Sequence, residues 1–344
     1  MAFRIFALLG NFVATVLVST VMVFLLLRIM PGDPATVALG IEATPDQLEA
    51  WRNEHGTNAP VIAQYFDWLG GLLRGDFGTS YVSQQNISAT VVDRLQVTLI
   101  LVGAAMLIAL VVAIPLGTLA AMKHKNTSGV LISGVSQVGV AVPSFLVGIL
   151  LVAFFAINLG WFPSGGWEAP SDGPGFLSHL VLPAVALGSV QASILTRYVR
   201  SSVMEIMRED FLRTARSKGL TAGAALVRHG LRNAGIPVLT VVGVQLAGLL
   251  IGAVVIERVF SIPGLGSYLV DSVGNRDLLA VQAVVAMLVI AIVLINFLSL
   301  SGAALGIFAI LKIAFTAGAA CLQLGHSKSP YSTIVTGACD APSM

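Results

Sequence analysis

The stretch Arg197–Pro237, RYVRSSVMEIMREDFLRTARSKGLTAGAALVRHGLRNAGIP, is a charged island in an otherwise apolar chain. It holds eight of the nineteen Lys and Arg residues, opposed only by Glu205, Glu209 and Asp210. Apolar runs flank it on both sides, each near the length of about 20 residues that a bilayer crossing needs. A basic segment between two such runs is expected on the cytoplasmic side of a membrane. That pattern sets the fold class as all-α, a polytopic bundle of membrane helices.

The totals agree. Of 344 residues, 56% are apolar and 10% charged, where soluble domains are about 25% charged. The apolar runs are continuous rather than alternating in segments of about ten, so helices rather than barrel strands satisfy the backbone in lipid. The net charge of +2 says little about partners, and the pattern gives no sign of nucleic-acid binding. Cys321 and Cys339 both lie in the tail and imply no disulfide framework.

Working outward from the island, six spans are expected, at about Ile5–Met30, Leu99–Met122, Val130–Ile157, Leu180–Thr196, Pro237–Ile256 and Leu278–Leu300. The first is too long for a signal h-region and lacks a small-residue cleavage site, so it reads as an uncleaved membrane helix. Met30-Pro31-Gly32-Asp33-Pro34 stops it, and Arg28 is placed to snorkel. Pro115 and Pro143 allow kinks in the second and third spans. A small extracytoplasmic segment, residues 31–96, carries eight acids against Arg52, Arg74 and Arg94. Within it Thr44 reads as the N-cap of a short helix with Pro45 at N1. Val61–Leu73 reads as a second helix, with Tyr65, Phe66, Trp68 and Leu69 suited to an interface belt. Gly75–Ser80 reads as a turn, and Glu257–Asp277 as a loop.

Arg4, Lys123, Lys125 and the island fall on one side when the spans alternate, and the acidic segments on the other. The positive-inside rule then puts both termini in the cytoplasm of a multi-pass plasma- or inner-membrane protein. Residues 301–344 form an atypical tail: apolar to Leu324 except for Lys312, then polar.

Chemistry for an enzyme is missing. The sequence has no G-x4-G-K-[ST], C-x-x-C, H-E-x-x-H or G-x-S-x-G pattern. The spans also carry few of the ionisable residues that ion-coupled carriers and proton relays use. Transport through this chain is therefore expected to be powered from outside it.

The island itself reads as a folded helix–turn–helix. Val203, Ile206, Met207, Phe211 and Ala215 recur at three- and four-residue spacing, giving one apolar face over 205–220. Arg216 and Lys218 suit the negative end of the helix, and Gly219 suits the left-handed position that ends it. Thr221 can cap a second short helix through Leu231, and Pro237 starts the next span. On physics alone, a loop lying on anionic headgroups and a docking element for another protein both remain open.

The island resembles the cytoplasmic "EAA" loop of ABC-importer permeases, in the version of the dipeptide/oligopeptide/nickel group. The resemblance rests on Phe211-Leu-Arg-Thr-Ala-Arg-Ser-Lys-Gly-Leu220, Arg228-His-Gly-Leu-Arg-Asn233 and Ile236-Pro237. Leu27–Pro34, Gly70–Ser80, Gly252–Phe260 and Pro263–Gly266 extend it over roughly residues 1–298, in order. It implies that the loop helix inserts into a groove on a separate ATPase subunit, with Phe211, Arg213, Thr214, Ala215, Lys218, Gly219 and Leu220 as the coupling residues. It also implies a second permease subunit, two ATPase subunits and an extracytoplasmic substrate-binding protein, with ATP and Mg on the ATPase and no cofactor in this chain. Arg213 stands where the general motif has Glu, Asn233 where some relatives have proline, and the chain after Leu298 departs from the family pattern.

Polar residues within spans are the candidates for the pathway: Gln137, Gln191, Gln245 and Asn296. Hydrogen bonding between helices is the commoner use of such residues. Arg258, Ser261, Pro263 and Gly264 form either a structural turn or a surface for a delivering protein. The rival to an importer subunit is a self-sufficient channel or secondary carrier whose basic loop contacts lipid alone.

Overall fold

The computed structural model describes residues 2–29, 33–40 and 42–302. The Met30-Pro31-Gly32 stop and the tail from 303 to 344 lie outside the described residues. The architecture is helical throughout, with an isolated two-residue bridge, Thr79 to Asn86, as its sole extended pairing among the described residues.

The helices are α1 (Ala2–Ile29), α2 (Pro34–Leu39), α3 (Pro45–Glu54), α4 (Val61–Arg74), α5 (Ile87–Met122), α6 (Thr127–Ala141) and α7 (Ser144–Leu151). After a π-turn segment at Val152–Asn158 come α8 (Pro174–Ile206), α9 (Asp210–Ser217) and α10 (Ala222–Ala225). A second π segment, Leu226–Gly230, leads into α11 (Leu231–Val259), then α12 (Leu265–Gly274) and α13 (Leu278–Gly302).

Four helices, α5, α8, the Pro237–Val259 part of α11 and α13, are long and apolar enough to cross a membrane. A fifth span results if the α6–α7 pair counts as one, and α1 contributes the shorter apolar stretch Gly10–Leu25. The expected six spans are thus supported roughly, and their bounds need correction. α5 begins at Ile87 rather than Leu99, and α8 runs on to Ile206 rather than Thr196. Hydropathy locates the part of a helix that tolerates lipid; the hydrogen-bonded helix continues through polar residues at either end. The α11 helix likewise starts before Pro237, which lies inside it. Its ring removes one N–H from the ladder; Ser202 Oγ donates to the nearby Ala234 carbonyl at 2.8 Å.

The third expected span is not one rod. α6 and α7 meet at a 98° bend. Pro143 stands in extended backbone just before α7 and lacks the N–H that would join the two ladders. The expected Glu257–Asp277 loop contains α12, so it too is corrected.

The described chain divides into two compact units. The first comprises Met1–Ile108, Val142–Val190 and Gly243–Ser301; the second comprises Ala109–Ala141 and Gln191–Val242. In the first, a core forms from Phe77, Ile87, Val91, Leu265, Ala280, Ala283 and Val284. The Gly75–Ser80 turn thus has an inward-pointing member: Phe77 is 4% exposed, a burial worth about 1.5–3 kcal/mol. α8 approaches α5 closely in this unit, where a Cβ on Gly188 would lie 2.7 Å from the Ala105 carbonyl oxygen. Close backbone approach at small residues is how apolar helices associate in lipid.

The segment between α1 and α5 is built from local signals. Thr44 and Gln47 form a reciprocal capping box at α3, with contacts of 3.4 and 2.9 Å. Trp51 of α3 is buried and stacks on His55, ring centroids 4.0 Å apart. Arg28 does not extend freely; its guanidinium donates to Gln64 Oε1 at 2.6 Å.

Candidate functional site

The island folds as a short helix held on a buried base, all within the second unit. α8 ends at Ile206, and a turn through Met207–Glu209 follows, held by Arg208 N–H to Glu205 O and Glu209 N–H to Ile206 O at 3.0 and 3.1 Å. The chain re-enters helix at Asp210, with Glu209 extended (φ −69°, ψ 144°) as N-cap and Asp210 in the positive first turn. The expected continuous face over 205–220 is therefore broken and re-phased. Phe211 is 39% exposed, whereas its neighbour Leu212 is 3% exposed and Ala215 9%. A turn inserted between two helices resets which residues share a side, and the three- and four-residue spacing could not reveal that reset.

Leu212 and Ala215 seat α9. Beneath them, a Cβ on Gly230 would lie 3.3 Å from Leu212 Cδ1, 3.3 Å from Ile206 Cγ2 and 2.7 Å from Leu226 Cδ1. Leu226, Leu231 and Ala234 are buried alongside. The C-terminal stop is a complete Schellman motif. Gly219 N–H reaches Arg216 O at 3.0 Å and Leu220 N–H reaches Ala215 O at 3.3 Å, with Gly219 at φ +95°. Two residues later Thr221 Oγ1 accepts from Ala224 N–H at 3.3 Å and caps α10. The second helix does not end at Leu231 as the sequence suggested; the π segment passes it directly into α11.

What this element presents is charge and one aromatic ring. Phe211, Arg213, Thr214, Arg216, Ser217, Lys218 and Gly219 are exposed, and Leu220 is half-buried. Arg213 pairs with Asp210 at 3.6 Å, with the two side chains 75% and 96% exposed, so the pair contributes little to stability. An open cleft of about 340 Å³ is lined by Arg213, Arg216 and Ser217. Of the seven residues assigned to coupling, six therefore lie at least partly at the surface of one ten-residue element. Ala215 packs underneath.

The pathway candidates fall in both units. Gln137 and Gln191 belong to the second unit and Gln245 and Asn296 to the first. Gln137 is exposed on α6; the other three are half-buried, and Gln191 and Gln245 each have interaction partners.

A second polar constellation escaped the sequence reading. Glu257, near the end of α11, is fully buried. Thr98 Oγ1 donates to its Oε1 at 2.6 Å and Ser267 N–H to its Oε2 at 3.0 Å, while Thr98 Oγ1 accepts from Leu265 N–H at 2.9 Å. The carboxylate occupies the space a side chain at Gly264 would need, since a Cβ there would lie 2.2 Å from it. The turn between α11 and α12 is thus clamped on α5, with Ser261 held at φ +52°. Arg258 is tied to Asp271. Nearby, Ser80 Oγ donates to Asp277, and Arg94 lies over the Tyr268 ring at 5.0 Å. Burial pushes the Tyr81 and Tyr268 hydroxyls up, and the Asp277 carboxylate adds to both. A glutamate and an arginine ending an apolar run, with Gly264 seven residues on, were the available signal.

Among the described residues no group of His, Cys, Asp or Glu could hold a metal ion.

Comparison with known proteins yields two family matches that together cover most of the chain. Residues 113–305 match the family "Binding-protein-dependent transport system inner membrane component". Residues 1–102 match its N-terminal companion, "Binding-prot-dependent transport system membrane comp, N-term". The chain is 37% identical over 280 residues to the oligopeptide transport system permease protein AppB of Bacillus subtilis, covering 80% of this chain and 88% of that protein. It is also 37% identical over 284 residues to the glutathione transport system permease protein GsiC of Salmonella typhimurium, covering 83% of this chain and 90% of that one.

Proposed function

We propose a mechanism from one premise: the chain belongs to the family of binding-protein-dependent transport system inner membrane components and is a multi-pass permease subunit of an ABC importer. It is a permease component, not a catalytic subunit. That membership favours the importer over the self-sufficient channel or carrier.

The chain pairs with a second permease, two ATPase subunits that hold ATP and Mg, and an extracytoplasmic binding protein. Peptides or similar small solutes are the cargo, in keeping with the names of its relatives. Both termini and the Arg197–Pro237 island face the cytoplasm, in keeping with the distribution of basic residues. The α9 helix enters a groove on an ATPase subunit; Phe211 supplies an apolar anchor, Arg213, Thr214 and Lys218 polar contacts. Gly219 and Leu220 hold the stop that keeps the helix short. ATP-driven closure moves α9, and its seat on Leu212 and Ala215 passes the displacement to α8 and α11, which opens the path toward the binding protein. Hydrolysis resets it. The segment 31–96 shapes the entrance and meets the binding protein.

One observation carries this reading: a helix fixed from below by buried Leu212 and Ala215 displays Phe211, Arg213 and Lys218, all three exposed among the described residues. The test is the double reversal Arg213→Glu, Lys218→Glu. Expected is a transporter that inserts normally but loses ATPase co-purification and uptake. Unchanged co-purification removes the docking role, and uptake by the purified chain alone in liposomes removes the importer mechanism.

A further inference from the structure

α4 carries an apolar stripe that the fold leaves uncovered. At about 100° per residue, Ile62, Phe66, Leu69 and Leu73 fall within about 60° of one another. Ile62 is 72% exposed, Phe66 63% and Leu73 81%, with Leu69 half-buried between them. Asp67 and Arg74, both exposed, lie on another side of the helix. An exposed run of three large apolar side chains with a polar edge is the pattern of a helix that lies in a membrane interface.

The seat of α4 says what covers the stripe. One flank of α4 rests on α1: Tyr65 and Trp68 meet the Phe24 ring at centroid distances of 5.5 and 6.0 Å. Tyr65 Oη and Thr20 Oγ1 are 3.1 Å apart, and Arg28 donates to Gln64. These contacts fix α4 at the level of Thr20–Arg28. At that same level α1 turns Val18, Val21, Met22 and Leu25 outward, 63%, 39%, 57% and 46% exposed, and on a membrane helix such residues meet acyl chains. Phe24 lies about 8 Å from the end of α1 at Ile29, at 1.5 Å rise per residue. That depth matches the roughly 5–10 Å to which interfacial helices bury their apolar face. The sequence assigned Tyr65, Phe66, Trp68 and Leu69 to an interface belt; the structure turns Tyr65 and Trp68 onto α1, leaves Phe66 outward and adds Ile62 and Leu73 beside it.

We propose that α4 lies along the bilayer interface beside the C-terminal end of α1, its Ile62–Phe66–Leu73 stripe sunk among lipid acyl chains and Asp67 and Arg74 toward water. The inference rests on α1 being a membrane helix. α4 then fixes the depth of the segment it belongs to and braces it laterally against the bilayer, which a tether through α1 alone does not do.

The experiment uses the complete transporter in phospholipid nanodiscs, with Cys321→Ser and Cys339→Ser and single nitroxide labels at Phe66→Cys, Leu73→Cys, Asp67→Cys and Val18→Cys. Accessibility is read against oxygen, which partitions into lipid, and a water-soluble nickel chelate. Expected is an oxygen-to-nickel ratio at Phe66 and Leu73 several-fold above that at Asp67 and below that at Val18. Nickel accessibility at Phe66 and Leu73 equal to that at Asp67, with Val18 in lipid, overturns the inference and leaves the span intact. Shielding of both stripe positions from both reagents once the binding protein is added makes the stripe a protein interface and overturns it too. If Val18 itself reports water, the membrane placement of α1 falls and the inference with it.

Discussion

Two regions of this chain put charge at the end of a membrane helix and use it in opposite ways. In the α9 loop, Arg213 and Lys218 stand in solvent, Asp210 is 96% exposed, and the Arg213–Asp210 pair is loose at 3.6 Å. Near the end of α11, Glu257 is fully buried and both carboxylate oxygens accept hydrogen bonds, from Thr98 and Ser267. Surface charge stabilises little and remains available to a partner. Buried charge is tolerable only when satisfied, and then it locks the elements that satisfy it. The first region is a display and the second a clamp.

The largest effect separates them on stability. Glu257→Ala leaves Thr98 Oγ1 and the Ser267 N–H without their acceptor and opens a void against Gly264; a loss of about 3 kcal/mol is expected. It should appear as a clear fall in the thermal unfolding midpoint of the solubilised transporter. Arg213→Glu should leave that midpoint unmoved while abolishing ATPase association. If both variants lowered the midpoint equally, the division into display and clamp would fail.

A finer cut lies within α9. Leu212→Ala removes a side chain that is 3% exposed and should cost about 2–4 kcal/mol, in the range for buried leucines. Phe211→Ala, one residue away, should change stability by under about 1 kcal/mol and act on coupling instead. ATPase activity stimulated by binding protein, measured beside thermal midpoints, distinguishes the two. A destabilised Phe211→Ala with normal coupling would move the docking face elsewhere on the loop.

These contrasts mark what the sequence could show. Signals satisfied within a few residues were legible: the Thr44–Gln47 box, the Thr221 cap, and the Gly219 stop, whose φ is +95°. Such features depend on neighbours three to five positions away, and the residue types advertise them. The helical class and the absence of enzyme motifs were legible from composition and pattern. The Phe211–Leu212 reversal was not, because the turn at Met207–Glu209 changes helical phase without a glycine or proline to mark it. The Glu257 clamp was not, because its partner Thr98 is 159 residues away in the chain. Nor was the 98° break: Pro115, Pro143, Pro183 and Pro237 all stand within apolar stretches or at their edge, and of these four only Pro143 parts the ladder.

The stop itself can be tested next. Gly219→Ala forces a side chain into left-handed backbone, at about 1–2 kcal/mol, while a Cβ there meets no atom within 4 Å. The cost is therefore conformational and local. Amide exchange should quicken at Leu220 and through α9, with the global midpoint nearly unchanged and coupling weakened. A rigid α9 in this variant would show that the display does not depend on its stop.

The smallest effect concerns an arrangement between the two extremes. Asp33 caps α2, accepting from Ala35 N–H at 3.3 Å, and receives Arg52 at 2.6 and 3.2 Å. The two side chains are 31% and 34% exposed, so the pair is neither displayed nor sealed. The Arg52 hydrogen bond holds the Asp33 carboxyl below its ordinary value of 3.8. A folded carboxyl that binds its proton less tightly than the unfolded one contributes fully above that ordinary value. The contribution disappears as pH falls through the lowered one. Stability of the α2–α3 segment should thus decline with acidification below about pH 4 more steeply in the parent than in Asp33→Asn. Screening by solvent keeps the neutral-pH cost of that variant within about 1 kcal/mol. Amide exchange at Ala35–Val37, followed in both proteins from pH 6 to pH 3, measures the difference. Parallel pH profiles would show that Asp33 acts as a cap alone, and that a pair a third exposed already behaves like the open charges of α9.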